Sequence, residues 1–339
     1  MQRRSIAYTA CLGLALMVFS SVALAQYQLT NLVSNQIGQA GHDDPLLVNA
    51  WGLTYAPGSP FWISDNGSGW STLYDGNGVK HHLEVEIPTA NGSGTGSPTG
   101  IVFNGSQDFQ VQGWASIFIF ATLDGTISGW APQSDPNNAI IAVANSGSVY
   151  TGLAITSRSS RNFLFAADNA NNKVDMFDAS FKLVKSFTDT TLPSGFAPFG
   201  IQDIDGFLYV AFASTSGGPG GYIDIFSEEG TFLKHLAQGA PLNQPWGMAA
   251  APKNFGPLSN TLLVSNNINT NGTINSFNGI TGEFVGTVRD TNGRPIHIDQ
   301  LWGIKFGGGS PADGAKNELF FTAGPSNNLA GTFGSIVLK

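Results

Sequence analysis

Thiols are almost missing from this 339-residue chain: its one cysteine, Cys11, falls within the first 25 residues. From Gln26 onward there is no material for a disulfide, a thiolate metal site or a cysteine nucleophile. Charged residues are scarce at 11%. No Lys/Arg cluster supplies the basic footprint that nucleic-acid binding needs. Helical periodicity of useful length is missing. After residue 25 no apolar run reaches the length of a membrane span. The H-x-x-x-H, H-E-x-x-H and G-x-S-x-G hydrolase templates are absent. Gly307–Gly308–Gly309 reads as a loop between strands, not as a phosphate-cradling turn into a helix.

What is present is glycine, 43 residues of it, with aromatics at 11%. Together with many Asn, Ser and Thr, this is the profile of a folded, β-rich protein. The N-terminus carries Arg3 and Arg4, an apolar stretch from Ile6 to Val22, then Ala23–Leu24–Ala25. These read as the n-region, h-region and A-x-A site of a signal peptide over residues 1–25, with cleavage expected before Gln26; an uncleaved membrane anchor is the alternative, which the A-L-A ending disfavours. Tyr8–Thr9–Ala10 lacks the leucine of a lipobox. The expected location is extracytoplasmic, periplasmic or secreted, with the Sec or Tat route open and no membrane insertion after cleavage. Loss of Arg3 and Arg4 leaves 13 basic against 23 acidic residues, a net charge of −10.

The organisation is a repeat. Trp51–Gly52–Leu53 recurs as Thr99–Gly100–Ile101, Thr151–Gly152–Leu153, Phe199–Gly200–Ile201, Trp246–Gly247–Met248 and Trp302–Gly303–Ile304. The glycines are 48, 52, 48, 47 and 56 residues apart. Apolar runs follow each: Phe61–Ser64, Ile117–Ala121, Phe163–Ala167, Leu208–Ala213, Leu262–Ser265 and Leu319–Thr322. Third strands end at Tyr74, Trp130, Phe177, Phe226 and Phe277. Turn signals such as Asp75–Gly76–Asn77–Gly78 and Thr281–Gly282 lead to a fourth strand. Four short strands per unit of about 50 residues is the pattern of a propeller blade. The expected fold is an all-β, six-bladed β-propeller forming a single domain over residues 26–339. The sixth unit lacks a fourth strand, so Tyr27–Val33 is expected to close the ring and seal an open sheet edge.

The segments "PFGIQDIDGFLYVAF" and "NFLFAADNANNKVDMFD" resemble NHL-type repeats. With "NAWGL", "FWISDNG", "STLYDGNG" and "QPWGMA", nearly all of residues 27–339 resembles a bacterial family of secreted, NHL-like six-bladed propellers. The resemblance implies a binding platform. Related lactonase-like propellers imply an alternative, ester hydrolysis with a metal in the central channel.

Three constellations could carry chemistry. Second strands end in Ser64–Asp65–Asn66, Ala167–Asp168–Asn169 and Ser265–Asn266–Asn267 on alternate blades. Asp65, Asp168 and Asn266 could hold a hard cation such as Ca²⁺, or could serve their own hairpins. The lactonase-like set is incomplete, because no first-strand Glu is evident. Trp51, Trp246, Trp302 and Phe199 precede the repeat glycine, with Asn49, Gln244 and Gln300 two residues before the tryptophans. Flat aromatic faces beside amides suit a small polar ligand; inter-blade packing is the plainer use. His42–Asp43–Asp44 could bind a metal or move protons. His81–His82 is expected to alternate across an outer strand, and His297 with Asp299 could share a face. The leading functional expectation is a binding or interaction module for a small polar ligand or a protein partner.

Overall fold

The computed structural model describes residues 26–92, 94–156 and 162–339. The expected signal peptide lies outside them. Six antiparallel sheets follow one another along the chain and close into a ring. Blade one comprises Ala50–Thr54, Phe61–Asp65, Trp70–Tyr74 and a very short outer strand, Val85–Glu86. Blade two runs from Pro98–Phe103 through Phe118–Thr122 and Thr126–Trp130 to Ile140–Ala144; a small hairpin, Gln110–Val111 with Trp114–Ala115, is inserted after its first strand. Blades three, four and five open with Tyr150–Thr156, Phe196–Ile204 and Pro245–Ala250. Blade six joins Leu301–Phe306, Leu319–Ala323 and Thr332–Leu338 to Tyr27–Ser34.

The closing strand pairs antiparallel to Thr332–Leu338 from Tyr27↔Leu338 to Ser34↔Thr332. Tyr27 also donates its phenolic hydrogen to Phe255 O at 2.7 Å, which ties the closure to blade five. His42–Asp43 adds a short parallel strand beside Val33–Ser34. His81 and His82 depart from expectation. They are exposed and precede the outer strand Val85–Glu86 rather than alternating along it; only an isolated bridge, Tyr74↔Lys80, and the His81 N–H bond to Leu73 O tie this stretch to the third strand.

Each sheet buries both faces against its neighbours, which is why the second strands read as continuous apolar runs. Among the described residues the buried apolar side chains form a seam between every adjacent pair of blades. Phe61, Ile63 and Tyr74 pack toward blade six, whereas Trp62 and Leu73 on the same strands pack toward blade two. This is the period-two alternation of a strand, used on both sides.

The repeat glycines explain how the seams meet at the axis. A Cβ placed on Gly52 would stand 2.5 Å from Thr99 O, and on Gly100 2.3 Å from Leu153 N. On Gly200 it would stand 2.0 Å from Trp246 O, on Gly247 2.6 Å from Trp302 O, and on Gly303 2.7 Å from Trp51 O. Each glycine therefore abuts the backbone of the next innermost strand, and the sixth returns to the first. Gly152 is the loosest contact, at 3.1 Å from Phe199 O. Overpacking costs about 1–3 kcal/mol where nothing can yield. Gly200→Ala should therefore lower unfolding free energy by about 3 kcal/mol, and Gly152→Ala by less than about 1 kcal/mol. Urea denaturation of both variants checks the order; equal losses would contradict it.

Candidate functional site: the axial channel

The innermost strands all enter the channel at one mouth and leave at the other, so their residues form layers. The entry layer contains Trp51, Phe199, Trp246 and Trp302. A bulge at each Trp–Gly step lets two residues oppose one on the second strand and turns the indole inward. Asn49, Gln244 and Gln300 precede these bulges in the left-handed region, at φ 49°, 51° and 50°. The geometry is thus shared by the three tryptophan-bearing blades.

The aromatic residues do come together, but they face one another. Trp51 and Trp302 stack with ring centroids 3.5 Å apart and planes 19° from parallel. Trp246 meets both edge-on, at 6.1 and 5.8 Å. Phe199 packs against Trp51 and Trp302 from blade four. Trp246 Nε1 donates across the channel to Thr151 O at 2.9 Å, and Trp302 Nε1 donates to Asn49 Oδ1 at 3.1 Å. Only 6%, 8% and 3% of Trp51, Trp246 and Trp302 remains exposed. The expected open aromatic sector is therefore a plug. Its amides are engaged too: Gln244 Nε2 bonds Ser214 O and Gly218 O, and Gln300 Nε2 bonds Asn269 Oδ1. The Trp51 indole N–H is buried without a hydrogen-bond partner.

The strand-end residues on alternate blades are bound locally. Asp168 accepts from Ser148 Oγ at 2.8 Å, Val149 N at 3.1 Å and Asn171 Nδ2 at 2.8 Å. Asn266 accepts from Asn243 N and donates to Pro241 O. Asp65 accepts from Thr72 N at 3.1 Å through one oxygen; the other is buried and unpartnered. The residue that follows each of them has a role the sequence did not suggest. Asn66, Asn169 and Asn267 donate to Pro98 O, Pro198 O and Leu301 O, each at the start of the next blade. The alternation is thus a set of inter-blade clasps.

In "GHDDP", His42 and Asp43 are exposed, whereas Asp44 is buried and accepts from Tyr74 OH at 2.6 Å and Lys80 Nζ at 2.8 Å. The three do not share a site. His297 and Asp299 both border a hollow of about 230 Å³. Asp299 there caps backbone N–H groups of Thr270 and Ser326.

Beneath the plug, Leu53, Ile101, Leu153, Ile201, Met248 and Ile304 narrow the channel to a cavity of about 40 Å³. Beyond this apolar ring the exit mouth widens into two adjoining hollows of about 290 and 250 Å³ that share Tyr55, Gln202, Asp203 and Lys305. Lys305 Nζ stands 5.3 Å from the centre of the Tyr55 ring. Tyr55 is fixed in turn by its hydroxyl, which donates to Phe306 O at 2.9 Å. Desolvation holds the Lys305 ammonium below its ordinary value. Nothing in the sequence pattern points to this residue, because a lone lysine in a strand carries no motif.

No family model matches the chain. It is 31% identical over 339 aligned residues to Uncharacterized protein R648 of Acanthamoeba polyphaga mimivirus, covering 93% of this chain and 81% of that protein. It is 30% identical over 340 residues to Uncharacterized protein L690 of the same virus, covering 93% and 87%. These viral relatives correct the expected assignment to a bacterial family. Among solved structures the chain is similar to virginiamycin B lyase from Staphylococcus aureus, with TM-score 0.56, 16% identity, and coverage of 93% of this chain and 100% of that one. The likeness is one of fold, the β-propeller.

Two outcomes test this description. Trp302→Ala removes the centre of the plug and should cost about 3–5 kcal/mol, whereas Trp51→Phe keeps the stack and should cost under about 1.5 kcal/mol; urea unfolding measures both. Burial, with added repulsion from Asp44, raises the Asp65 carboxyl well above the ordinary carboxylate range. Stability from such a group is complete below its unfolded pKa near ~4 and is lost as pH rises toward the folded value. Asp65→Asn, the amide that blade five carries at Asn266, should therefore gain on wild type as pH goes from about 5 to about 9. A stability difference that stays constant across that range would contradict this.

Proposed function

The chain belongs to the family of mimivirus proteins R648 and L690, and on that premise we propose that its propeller binds a small organic anion, bearing a carboxylate or a phosphate, at the exit mouth of the channel. The propeller fold itself suits a binding or interaction module. The observation that carries the finer reading is Lys305. It is a desolvated ammonium group that shares the exit hollows with Tyr55, Gln202 and Asp203, and among the described residues no carboxylate lies within ion-pair distance of it. The chain is otherwise acidic, with a formal net charge of −8, so this cation stands out against its background. A desolvated lysine favours its charged form once an anion arrives. Gln202 and Tyr55 add a polar rim and an aromatic wall, a common composition for small-ligand sites.

The entry mouth is less suited, because its tryptophan faces cover one another. The metal-dependent hydrolase alternative draws no support from Asp65, Asp168 and Asn266, which act within their own blades and connecting loops. Export of the module outside the cytoplasm is part of the proposal and rests on the signal-like residues 1–25.

The test is a calorimetric screen of Gln26–Lys339 against small carboxylates, sugar phosphates and neutral sugars. At least one anion should bind one-to-one, and Lys305→Met should weaken it by tenfold or more, in line with about 1.5–3 kcal/mol for a charged hydrogen bond. The variant keeps the aliphatic stem over Tyr55, so the fold should survive. Binding of neutral sugars alone, or equal affinity in the variant, would overturn the reading.

A further inference from the structure

The third strand of blades one to five carries a repeat position two residues before its closing aromatic residue. Asp175 occupies it in blade three, Asp224 in blade four and Asn275 in blade five. Blade three neutralises its carboxylate: Lys173 Nζ lies 2.8 Å from Asp175, and Tyr150 OH and Ser186 Oγ donate to it. Blade five avoids the charge by using an amide, which accepts from Thr287 Oγ1. Blade four does neither. Tyr222 stands where blade three has Lys173, and the neighbour that approaches Asp224 is a second carboxylate, Asp189, from the connection leaving blade three.

We propose that Asp189, Asp224 and His235 form a binding site for a divalent transition-metal ion such as Zn²⁺. One ligand atom from each lies within 4.8 Å of the others. His235 Nδ1 is 2.8 Å from Asp224 Oδ1 and 3.4 Å from Asp189 Oδ2. Tetrahedral ligands about 2.1 Å from an ion are separated by about 3.4 Å, so the His235–Asp189 contact already matches and the His235–Asp224 contact has to open. The independent sign is that Asp189 Oδ2 and Asp224 Oδ2 are both buried without a hydrogen-bond partner, on side chains 1% and 0% exposed. Two buried carboxylates facing each other are costly unless a cation or a proton lies between them. Desolvation accordingly raises the Asp224 carboxyl far above its ordinary value.

The surroundings prepare the ligands. Asp189 Oδ1 accepts from Thr191 N and Thr191 Oγ1, both at 2.7 Å, which turns Oδ2 toward the imidazole. Thr191 Oγ1 is also 3.1 Å from His235 Nε2. Its hydroxyl hydrogen is directed to Asp189, so it accepts from Nε2–H and leaves the Nδ1 edge toward Asp224 Oδ1, where a bound ion would replace the 2.8 Å contact. His235 and Asp224 are directly opposed on neighbouring strands. The His235 side chain is 36% exposed and borders a hollow of about 330 Å³, which gives an ion a way in and leaves a coordination position open. One imidazole with two carboxylates suits Zn²⁺ or Mn²⁺ better than Ca²⁺, which prefers an all-oxygen shell.

The experiment is titration of chelator-treated Gln26–Lys339 with Zn²⁺, and in parallel with Ca²⁺, read by calorimetry and by thermal unfolding. Zn²⁺ should bind one-to-one and raise the unfolding midpoint; Ca²⁺ should do neither. His235→Gln and Asp224→Asn should each weaken Zn²⁺ by tenfold or more, and Thr191→Val by roughly tenfold. His297→Gln, a change at an exposed histidine elsewhere, should leave affinity unchanged. His235 lies at the surface, so its variant keeps the proposal testable if Asp224→Asn fails to fold. No stoichiometric binding, or wild-type affinity in His235→Gln, would overturn the site. Neither result depends on Lys305 or on the mouth of the channel.

Discussion

Close approach of six backbones around one axis governs this molecule. The innermost strands meet where each repeat glycine abuts the peptide of the next blade, with no room for a methyl group at the tightest contacts. Everything outward follows from that spacing. The apolar seams can close only if the wedge-shaped gaps between sheets narrow to nothing at the centre. The bulge beside each repeat glycine is the same constraint seen along the strand: whatever its size, the residue before the glycine is displaced out of the ladder.

That displacement divides the channel in two. On blades one, five and six the expelled residue is a tryptophan, and the three indoles fill the entry with one another's surfaces. Past the apolar ring the innermost strands diverge, and the residues there are no longer bound by the packing rule. Tyr55, Gln202 and Lys305 are free to differ from their counterparts on other blades, and this is where individuality in a repeated fold is expected to carry recognition. Blade four shows the same logic at the outer rim, where Asp224, Asp189 and His235 break a pattern that blades three and five satisfy internally.

Much of the fold was legible because packing imposes periodicity. The six Gly steps, the apolar second strands and the missing sixth outer strand together specify the ring and its closure by Tyr27–Ser34. The site was less legible. The Asp–Asn pairs on alternate blades looked like converging oxygen ligands, yet spacing along a chain cannot say that Asp168 turns to Ser148 while Asn169 reaches Pro198. Trp51, Trp246 and Trp302 meet at one mouth, as their shared place before the repeat glycine suggests, but against one another. The bulges that aim their faces at each other depend on pairing register, which no local pattern reveals. Lys305 and His235 gave no signal at all, because Lys305 acquires its meaning from Tyr55 and His235 from Asp189 and Thr191, all distant in sequence.

The pairing of Tyr27–Ser34 with Thr332–Leu338 also bears on the order of events in folding. Five sheets can form from contiguous chain, but the sixth needs both ends at once. Until the ends meet, the glycine ring is an open arc with two unprotected seams. Its last contacts span some 300 residues of sequence, among the slowest to form. The strand that arrives first from synthesis is thus among the last to be used. A chain in that waiting state offers a bare sheet edge at Thr332–Leu338 to any other strand, including the same segment of a second copy. The latch that makes the finished ring durable is therefore also where an unfinished one is most prone to trade partners.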